Sequence, residues 1–266
     1  MEKFEFKKKF GQNFLTDKNL LSNIVEKAEV SGDDIVVEIG AGKGALTEVL
    51  SKSAKKVYSF EIDSDLFAFL DEKFKNTNVQ MIFKDVMKVS DEEIDEIVGG
   101  KFKLVANLPY YVTSPILTRF LQNPNVVSCT VMVQEEVADR IIACPKTKDY
   151  GVLTVICQSF GKAEKVLRVN RKMFYPVPNV DSAVVKITKT NENQNFNFAE
   201  FLSFVKQAFS MRRKKISTNL EGKPLSKSEV ENLLQNMGFS TSARAEEFSI
   251  NDLKRLFELI FEKTKH

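Results

Sequence analysis

The chain has 266 residues, of which 43% are hydrophobic and 28% charged, and its formal net charge is +3. These values are typical of a globular protein with one large domain or two unequal ones, and the small net charge does not by itself predict a nucleic-acid partner. The only histidine is His266 and the three cysteines lack metal-ligand spacing, so a histidine-based triad and a metal site are not expected. We see no signal peptide and no apolar stretch of about 18 residues, and therefore expect a cytoplasmic protein without a membrane span.

The amino-terminal segment contains two carboxamides between phenylalanines. Residues 10–15 read Phe-Gly-Gln-Asn-Phe-Leu, and a helix is predicted from about residue 17 because apolar residues recur there at helical spacing. We interpret the segment either as a flap over a ligand or as a surface arm held by its phenylalanines.

The strongest local pattern is a strand at residues 35–39, a glycine-rich turn, and a helix through residue 50. Glycines at Gly40, Gly42 and Gly44 let the backbone approach a ligand, and the helix start offers unpaired N–H groups. A second strand carries Glu61, about 20 residues after the turn, the spacing at which an acid reaches a ribose diol. The pattern predicts a ligand that contains adenosine.

Two ligands fit this turn. Gly40-x-Gly42-x-x-Ala45 also satisfies the dinucleotide fingerprint, which is compatible with NAD. Glu38, however, would hold the amino group of a cationic ligand directly or through water, and would repel a pyrophosphate. The third glycine, Gly44, is also more typical of methyltransferases. Both features favour S-adenosylmethionine.

Two further predicted strands end in polar residues. Asp85 and Val86 follow the strand at residues 79–83 and are expected to contact an adenine ring, unless the acid only caps a turn. The apolar residues 104–106 lead into the sequence Asn-Leu-Pro-Tyr at 107–110. A carboxamide and a free carbonyl there would accept hydrogen bonds from an amino group, and the tyrosine would stack on its ring. Since ligands bind at the carboxyl ends of parallel strands, we prefer this interpretation to a simple turn.

Three more strands are predicted at residues 128–134, 163–169 and 180–187, which makes about seven in a mostly parallel sheet. The loop at residues 173–182 contains two prolines, and Phe174 in it either faces Tyr110 across a slot or is a core aromatic.

The polar residues 188–197 are interpreted as a linker, and helices follow at 198–210, 214–220, 226–236 and 250–263. Ser226 and Glu229 have the spacing of a capping box. We therefore expect an α/β domain over residues 1–188 and a small all-helical domain over residues 198–266.

Basic residues form three groups near the candidate loops. Each group alone is compatible with a solvated face, but together they favour a functional role. They are Lys7, Lys8 and Lys9, then Arg171, and finally Arg212, Arg213, Lys214 and Lys215.

Taken together, the motifs at residues 10–15, 38–47, 107–110, 177–185 and 212–214 resemble the ribosomal RNA adenine dimethyltransferases. The resemblance covers essentially the whole chain. It implies a class I, Rossmann-like methyltransferase that dimethylates N6 of two adjacent adenines in a hairpin near the 3′ end of small-subunit rRNA. It also implies a role in ribosome biogenesis, a pre-ribosomal small subunit as partner, and a monomeric enzyme.

The resemblance also implies roles for individual residues. The residues expected to be catalytic are Asn107, Leu108, Pro109, Tyr110 and Phe174. The family's contacts to S-adenosylmethionine correspond to Gln12, Asn13, Leu15, Gly40, Glu61, Asp85 and Asn107, and the local patterns described above add Glu38, Gly42, Ile62 and Val86 as expected cofactor-binding residues. The three basic groups are expected to contact RNA. One departure is Lys84-Asp85-Val86-Met87, where the family more often has Gly-Asp-Ala-Leu, which affects only the packing of the adenine pocket.

Three alternatives stay open at this point. An NAD-linked oxidoreductase is compatible with the glycine turn but leaves residues 107–110 unexplained. A macrolide-resistance enzyme that acts on large-subunit rRNA would share the chemistry. A ribosome-assembly factor for which methylation is secondary would share the RNA contacts.

Overall fold

The computed structural model describes residues 14–15, 17–109, 112–190, 197–222 and 225–264. The chain forms two compact units, one of Met1–Ala138 and Phe160–Thr190, the other of Asp139–Ser159 and Asn191–His266. We expected a single boundary between residues 188 and 198. The difference arises because Tyr150 and Val155 pack into the hydrophobic core of the carboxyl-terminal helices, so their segment belongs to the second unit.

The described part of the first unit contains nine strands. They are β1 (Phe14–Leu15), β2 (Ile35–Ile39), β3 (Lys56–Phe60), β4 (Val79–Ile82), β5 (Phe102–Asn107), β6 (Val126–Gln134), β7 (Gly161–Val169), β8 (Phe174–Tyr175) and β9 (Ser182–Lys189). Seven of them form one sheet in the order β4-β3-β2-β5-β6-β9-β7. The pairs from β4 to β6 are parallel, and β9 runs antiparallel to both of its neighbours. This confirms the predicted mostly parallel sheet.

The central strands are apolar because helices cover both faces of the sheet. Val36 and Val37 in β2 and Leu104 and Val105 in β5 are all fully buried. Helices follow the strands in the alternating pattern of βαβ units. They are α1 (Lys18–Lys27), α2 (Ala45–Ser53), α3 (Phe67–Phe74), α4 (Asp91–Val98), α5 (Thr113–Gln122) and α6 (Glu135–Ile141).

Strands β1 and β8 form a separate two-stranded sheet in which Leu15 pairs with Phe174. We predicted a loop for residues 173–182, which is wrong at Phe174 and Tyr175. A strand of two residues has no detectable period, and its partner lies far away in the sequence, so local patterns do not reveal it.

The second unit is helical in its described part. Its helices are α7 (Val152–Ser159), α8 (Phe198–Ala208), α9 (Ile216–Asn219), α10 (Lys227–Asn236) and α11 (Ile250–Thr264). The core includes Phe201, whose ring centroid lies 5.6 Å from that of Phe257. The predicted capping box of Ser226 and Glu229 is confirmed at the start of α10. Within the described residues, no helix is long and apolar enough to cross a membrane.

Candidate active site

The carboxyl edge of the sheet brings together four of the predicted positions. Gly40 directly follows β2, Glu61 directly follows β3, Asp85 lies three residues beyond β4, and Asn107 ends β5. Because these strands are neighbours in the order β4-β3-β2-β5, the residues follow one another along a single edge. This is the edge at which open α/β sheets bind ligands.

The glycine turn adopts a backbone conformation that other residues rarely take. Gly40, Gly42 and Gly44 have φ values of 83°, 54° and 72°. A Cβ on Gly44 would lie 2.6 Å from the Phe74 ring, so this glycine is also required for the packing of α3. A Cβ on Gly40 would lie 3.7 Å from the Asn107 carbonyl oxygen, which is an ordinary contact distance, so the positive φ is what favours glycine there. The turn at Gly40 therefore lies directly beside the end of β5.

Glu61 connects the end of β3 to the glycine turn. Its Oε2 accepts a hydrogen bond from the Gly42 N–H at 2.7 Å, and its Oε1 accepts from the Ile62 and Asp63 N–H groups at 2.9 and 2.8 Å. Burial raises the pKa of this carboxyl, and the three backbone N–H groups oppose the shift. Glu61 thus fixes the turn while Oε2 retains acceptor capacity for a ligand hydroxyl.

Glu38 lies beneath the turn and is only 1% exposed. Its Oε2 accepts hydrogen bonds from Thr47 and Ser59, each at 2.6 Å, whereas its buried Oε1 has no partner among the described residues. Burial raises the pKa of Glu38 to about 7. Of the two modes considered for Glu38, contact through a bridging group fits this burial better than direct contact with a ligand.

Asp85 caps a short turn in this structure. Its Oδ1 accepts from the Met87 N–H at 3.0 Å and begins a 3₁₀ turn over Val86–Lys88. Val86 is buried, and Ile62 on the neighbouring strand end is 45% exposed. The cap that we considered as an alternative is therefore present, and an adenine contact by Asp85 stays a prediction.

Asn107 and the two residues after it leave the sheet at the same edge. Asn107 is half-buried, and the Leu108 N–H donates to the Met132 carbonyl at 3.2 Å. The Pro109 carbonyl accepts from the Val112 N–H at 3.1 Å and from the Thr113 hydroxyl at 3.3 Å, which starts α5. Among the described residues, none donates to the Asn107 side chain or to the Leu108 carbonyl. The described part of the chain therefore leaves both oxygens as candidate acceptors for a ligand amino group.

Some predicted residues are placed differently or lie outside the described part. Phe174 is 3% exposed and packs in a core cluster with Leu15, so its position here is that of the core aromatic. Its stacking role stays a prediction. The residues outside the described part are Lys7, Lys8, Lys9, Gln12, Asn13 and Tyr110.

The basic residues predicted to contact RNA are exposed where the structure describes them, namely at Arg171 and at residues 212–215. The Arg171 guanidinium donates to the Asn179 carbonyl at 3.0 Å and orders the proline loop of the first unit. In the second unit, Arg212 donates to the Tyr150 carbonyl at 3.2 Å, and Arg213, Lys214 and Lys215 follow it before α9.

The sequence did not point to Thr47 and Ser59, the two hydroxyls that bind Glu38. Both are fully buried, in α2 and β3 respectively. Each is a hydroxyl residue among apolar neighbours, and a buried hydroxyl needs a hydrogen-bond partner. That requirement is the sequence feature that could have indicated their contact with Glu38.

The edge fits a methyl donor that contains adenosine. Glu61 at the turn is suited to a ribose, and the left-handed Gly40 and Gly42 permit close approach of the donor to the backbone. The buried Glu38 Oε1, which has no partner among the described residues, is suited to a bridging group that contacts an amino group. Across the described residues, no group of three or more His, Cys, Asp or Glu side chains is arranged to hold a metal ion.

Comparison with known proteins connects this site to one family. The family model of ribosomal RNA adenine dimethylase matches residues 3–262. The chain belongs to this family. A relative from Clostridium botulinum (strain Kyoto / Type A2), ribosomal RNA small subunit methyltransferase A, is 40% identical over 97% of this chain and 95% of its own length. A relative of the same name from Caldanaerobacter subterraneus subsp. tengcongensis is 43% identical over 96% of this chain and 97% of its own length.

Solved structures agree with this membership. A dimethyladenosine transferase from Plasmodium falciparum superposes with a TM-score of 0.81 at 26% identity, over 95% of this chain and 98% of that one. The 23S rRNA methyltransferase ErmE superposes with a TM-score of 0.71 at 30% identity, over 94% and 100%. The class I methyltransferase fold is confirmed, and the protein is an rRNA adenine dimethyltransferase. An NAD-linked oxidoreductase is therefore ruled out in favour of a family that uses S-adenosylmethionine.

Replacement of Glu61 by glutamine is expected to weaken S-adenosylmethionine binding about tenfold. The substituted amide would place an N–H group against the Gly42 N–H, which disturbs the turn and removes an acceptor for a ribose hydroxyl. Isothermal calorimetry measures the dissociation constant. The control is Glu29→Gln, which removes an ion pair with the buried Lys186 at 2.7 Å and should lower stability without changing the affinity. An unchanged affinity in Glu61→Gln would argue against the ribose assignment.

Proposed function

We propose that this enzyme transfers two methyl groups from S-adenosylmethionine to N6 of each of two adjacent adenines in a hairpin near the 3′ end of small-subunit rRNA. The observation that carries the proposal is the position of Asn107 and Leu108, whose carbonyl acceptors lie at the same sheet edge as the glycine turn. The substrate is supported by the two relatives at 40% and 43% identity, both of which are named as small-subunit rRNA methyltransferases.

The donor would be held along the edge from β4 to β5. Glu61 would accept from its ribose, Ile62 and Val86 would pack against its adenine, and Asp85 would accept from the adenine amino group. Gly40 and Gly42 would allow close approach of the backbone, and Glu38 would bind the amino group through a bridging water. Bound S-adenosylmethionine supplies a methyl group on a positively charged sulfur. The amino-terminal Gln12, Asn13 and Leu15 complete the proposed set.

The target amine is a poor nucleophile because its lone pair is delocalised into the adenine ring. Hydrogen bonds from N6–H to Asn107 Oδ1 and to the Leu108 carbonyl favour a pyramidal nitrogen whose lone pair points away from both acceptors. Positive charge grows on this nitrogen during transfer, and the two oriented carbonyl dipoles stabilise that charge. After transfer the cationic N6 carries one proton more than the neutral amine, and this strongly acidic proton is released to water. Catalysis therefore depends on orientation and electrostatics, and no histidine base is needed.

Double methylation follows from the same geometry. A monomethylated N6 still carries one N–H group, which one of the two acceptors can hold while the other faces the first methyl group. The base has to leave its stack to enter the site, and Tyr110 and Phe174 are proposed to replace the lost stacking.

The RNA contacts are proposed from charge. Arg171, Arg212, Arg213, Lys214 and Lys215 are exposed, and Lys7–Lys9 extend the set at the amino terminus. Arginine and lysine on an exposed surface bind phosphates and release counterions. We propose that the enzyme acts as a monomer in the cytoplasm on a pre-ribosomal small subunit.

Large-subunit rRNA is a second candidate substrate, and the similarity to ErmE favours it. The relatives named for the small subunit are more similar in sequence, at 40% and 43% against 30% identity. We therefore rank the small subunit first.

Mapping of the methylated bases tests the proposal. Small and large ribosomal subunits from an unmodified strain, and the rRNA extracted from each, are incubated with the enzyme and labelled S-adenosylmethionine. Primer extension should stop at two adjacent dimethyladenosines near the 3′ end of the small-subunit RNA only. Label in the large-subunit RNA alone would reassign the substrate, and no label in either RNA would overturn the function.

A further inference from the structure

The 3₁₀ turn after Asp85 has little stability of its own. It covers only Val86–Lys88, and its two backbone hydrogen bonds measure 2.9 and 3.4 Å. Short 3₁₀ segments form weak hydrogen bonds, so their geometry depends on contacts from the surrounding structure. The Asp85 carboxylate supplies one such contact at the amino-terminal end of the turn.

The other anchor is Arg119 in the second turn of α5. Its Nη1 donates to the Val86 carbonyl at 2.5 Å, its Nη2 donates to the Val89 carbonyl, and its Nε donates to the Asp91 carboxylate at 2.7 Å. The side chain is only 17% exposed. Guanidinium is planar and carries five N–H donors, so it can hold three acceptors in a fixed arrangement that lysine cannot reproduce.

The same helix also contacts the stretch that presents Asn107. At the start of α5, the Thr113 hydroxyl and the Val112 N–H both donate to the Pro109 carbonyl. One end of α5 is thus fixed to the target-base stretch, and Arg119 fixes its next turn to the segment that carries Asp85 and Val86.

We infer that Arg119 is a positioning residue for methyl transfer: it sets the geometry of the adenine pocket of the donor relative to Asn107. This inference rests on the proposed function, because Asp85 and Val86 form the adenine pocket only if the donor binds at this edge. Arg119 does not touch the reacting atoms. Its effect passes through the backbone of the turn, so donor binding should respond more strongly than the chemical step.

The test compares Arg119→Met and Arg119→Lys with the wild-type enzyme. Arg119→Met keeps the apolar stem and removes every donor, so the KM for S-adenosylmethionine should rise about tenfold while kcat changes less than about threefold. Arg119→Lys keeps the charge opposite Asp91 and one ammonium donor, and the KM should rise to an intermediate value.

A matched control is available in β5. Lys103 is also 17% exposed, and its ammonium donates to the Glu29 carbonyl at 2.5 Å and to the Asp34 carboxylate at 2.9 Å, at the amino-terminal end of that strand. Lys103→Met removes a cation anchor of the same kind away from the candidate site. It should lower the melting temperature without raising the KM.

The outcomes separate the inference from the proposed function. If the wild-type enzyme neither binds nor transfers from S-adenosylmethionine, the proposed function fails. If the wild-type enzyme is active and Arg119→Met has a KM within about twofold of it, the inference fails. An equal rise in KM in Lys103→Met would also overturn the inference, since it would indicate general destabilisation. If Arg119→Met does not fold, the KM of Arg119→Lys tests the inference instead. An unchanged KM in that variant contradicts the positioning role.

Discussion

Replacement of Asn107 by alanine is expected to lower the rate of methyl transfer about a hundredfold or more. The carboxamide is half-buried at the end of β5, and no described residue occupies its acceptor. Without it, only the Leu108 carbonyl holds the amine, which can then turn its lone pair away from the donor. Binding of S-adenosylmethionine should weaken less, because the contacts at Gly40, Glu61 and Asp85 are kept.

Single-turnover assays with labelled donor measure the transfer rate of Asn107→Ala, and calorimetry measures its donor affinity. Asn78→Ala is the matched control. Asn78 Nδ2 donates to the Ser51 and Ala54 carbonyls at 2.9 and 2.7 Å, and the residue precedes β4 at the opposite end of the sheet. That variant should be less stable but should transfer methyl groups at the normal rate. Transfer by Asn107→Ala within about tenfold of wild type would contradict an orienting role for the carboxamide.

The sequence was sufficient to predict the features that depend on local periodicity. The apolar runs at residues 35–37 and 104–106 occur because both faces of the central strands are covered, and such runs predict buried parallel strands. The left-handed backbone at Gly40 and Gly44 is also a local feature, because residues other than glycine rarely adopt a positive φ. The site edge followed because parallel strands end on the same side.

Features that depend on contacts between distant residues were not predictable. Arg119 binds carbonyls that lie about 30 residues earlier in the chain, and its helix periodicity gives no indication of that contact. The pairing of β1 with β8 is equally remote in sequence. The place of residues 139–159 in the second unit depends on Tyr150, whose hydroxyl donates to the Phe248 carbonyl at 2.9 Å.

Glu38 combines a feature that the local sequence predicts with one that depends on contacts between distant residues. Its position just before the glycine turn predicted a role in the site, with contact to a ligand either directly or through water. The register places Glu38 opposite Ser59 in the parallel pair of β2 and β3, beneath the turn. Register is a tertiary property that the isolated strand does not specify. The side chain is therefore a buried carboxyl, and its environment governs its protonation.

The burial of Glu38 predicts a dependence of stability on pH. Burial raises its pKa from 4.5 to about 7, although Ser59 and Thr47 donate hydrogen bonds to the ionised form. Between these two values, the folded protein binds a proton that the unfolded chain has lost. Stability therefore falls as the pH rises through this window, by about 3 kcal/mol at about 1.4 kcal/mol per pKa unit.

Glu38→Gln should remove this dependence, because the amide does not ionise and its oxygen can still accept from both hydroxyls. Urea unfolding at a series of pH values gives the free energy of unfolding of both proteins. Relative to wild type, the variant should gain about 3 kcal/mol between about pH 4 and about pH 8.

Glu48→Gln is the control, because Lys52 and Lys73 lower the pKa of Glu48. Ionisation of Glu48 therefore changes stability with pH in the opposite direction to ionisation of Glu38. That variant should lose stability relative to wild type only as the pH rises toward the ordinary Glu pKa of 4.5, and its difference from wild type should stay constant at higher pH, where Glu38 titrates. A difference between Glu38→Gln and wild type that does not vary with pH would mean that the Glu38 carboxyl ionises normally in the folded protein. The two hydroxyl donors would then offset desolvation, and Glu38 would carry a full negative charge beneath the turn at neutral pH.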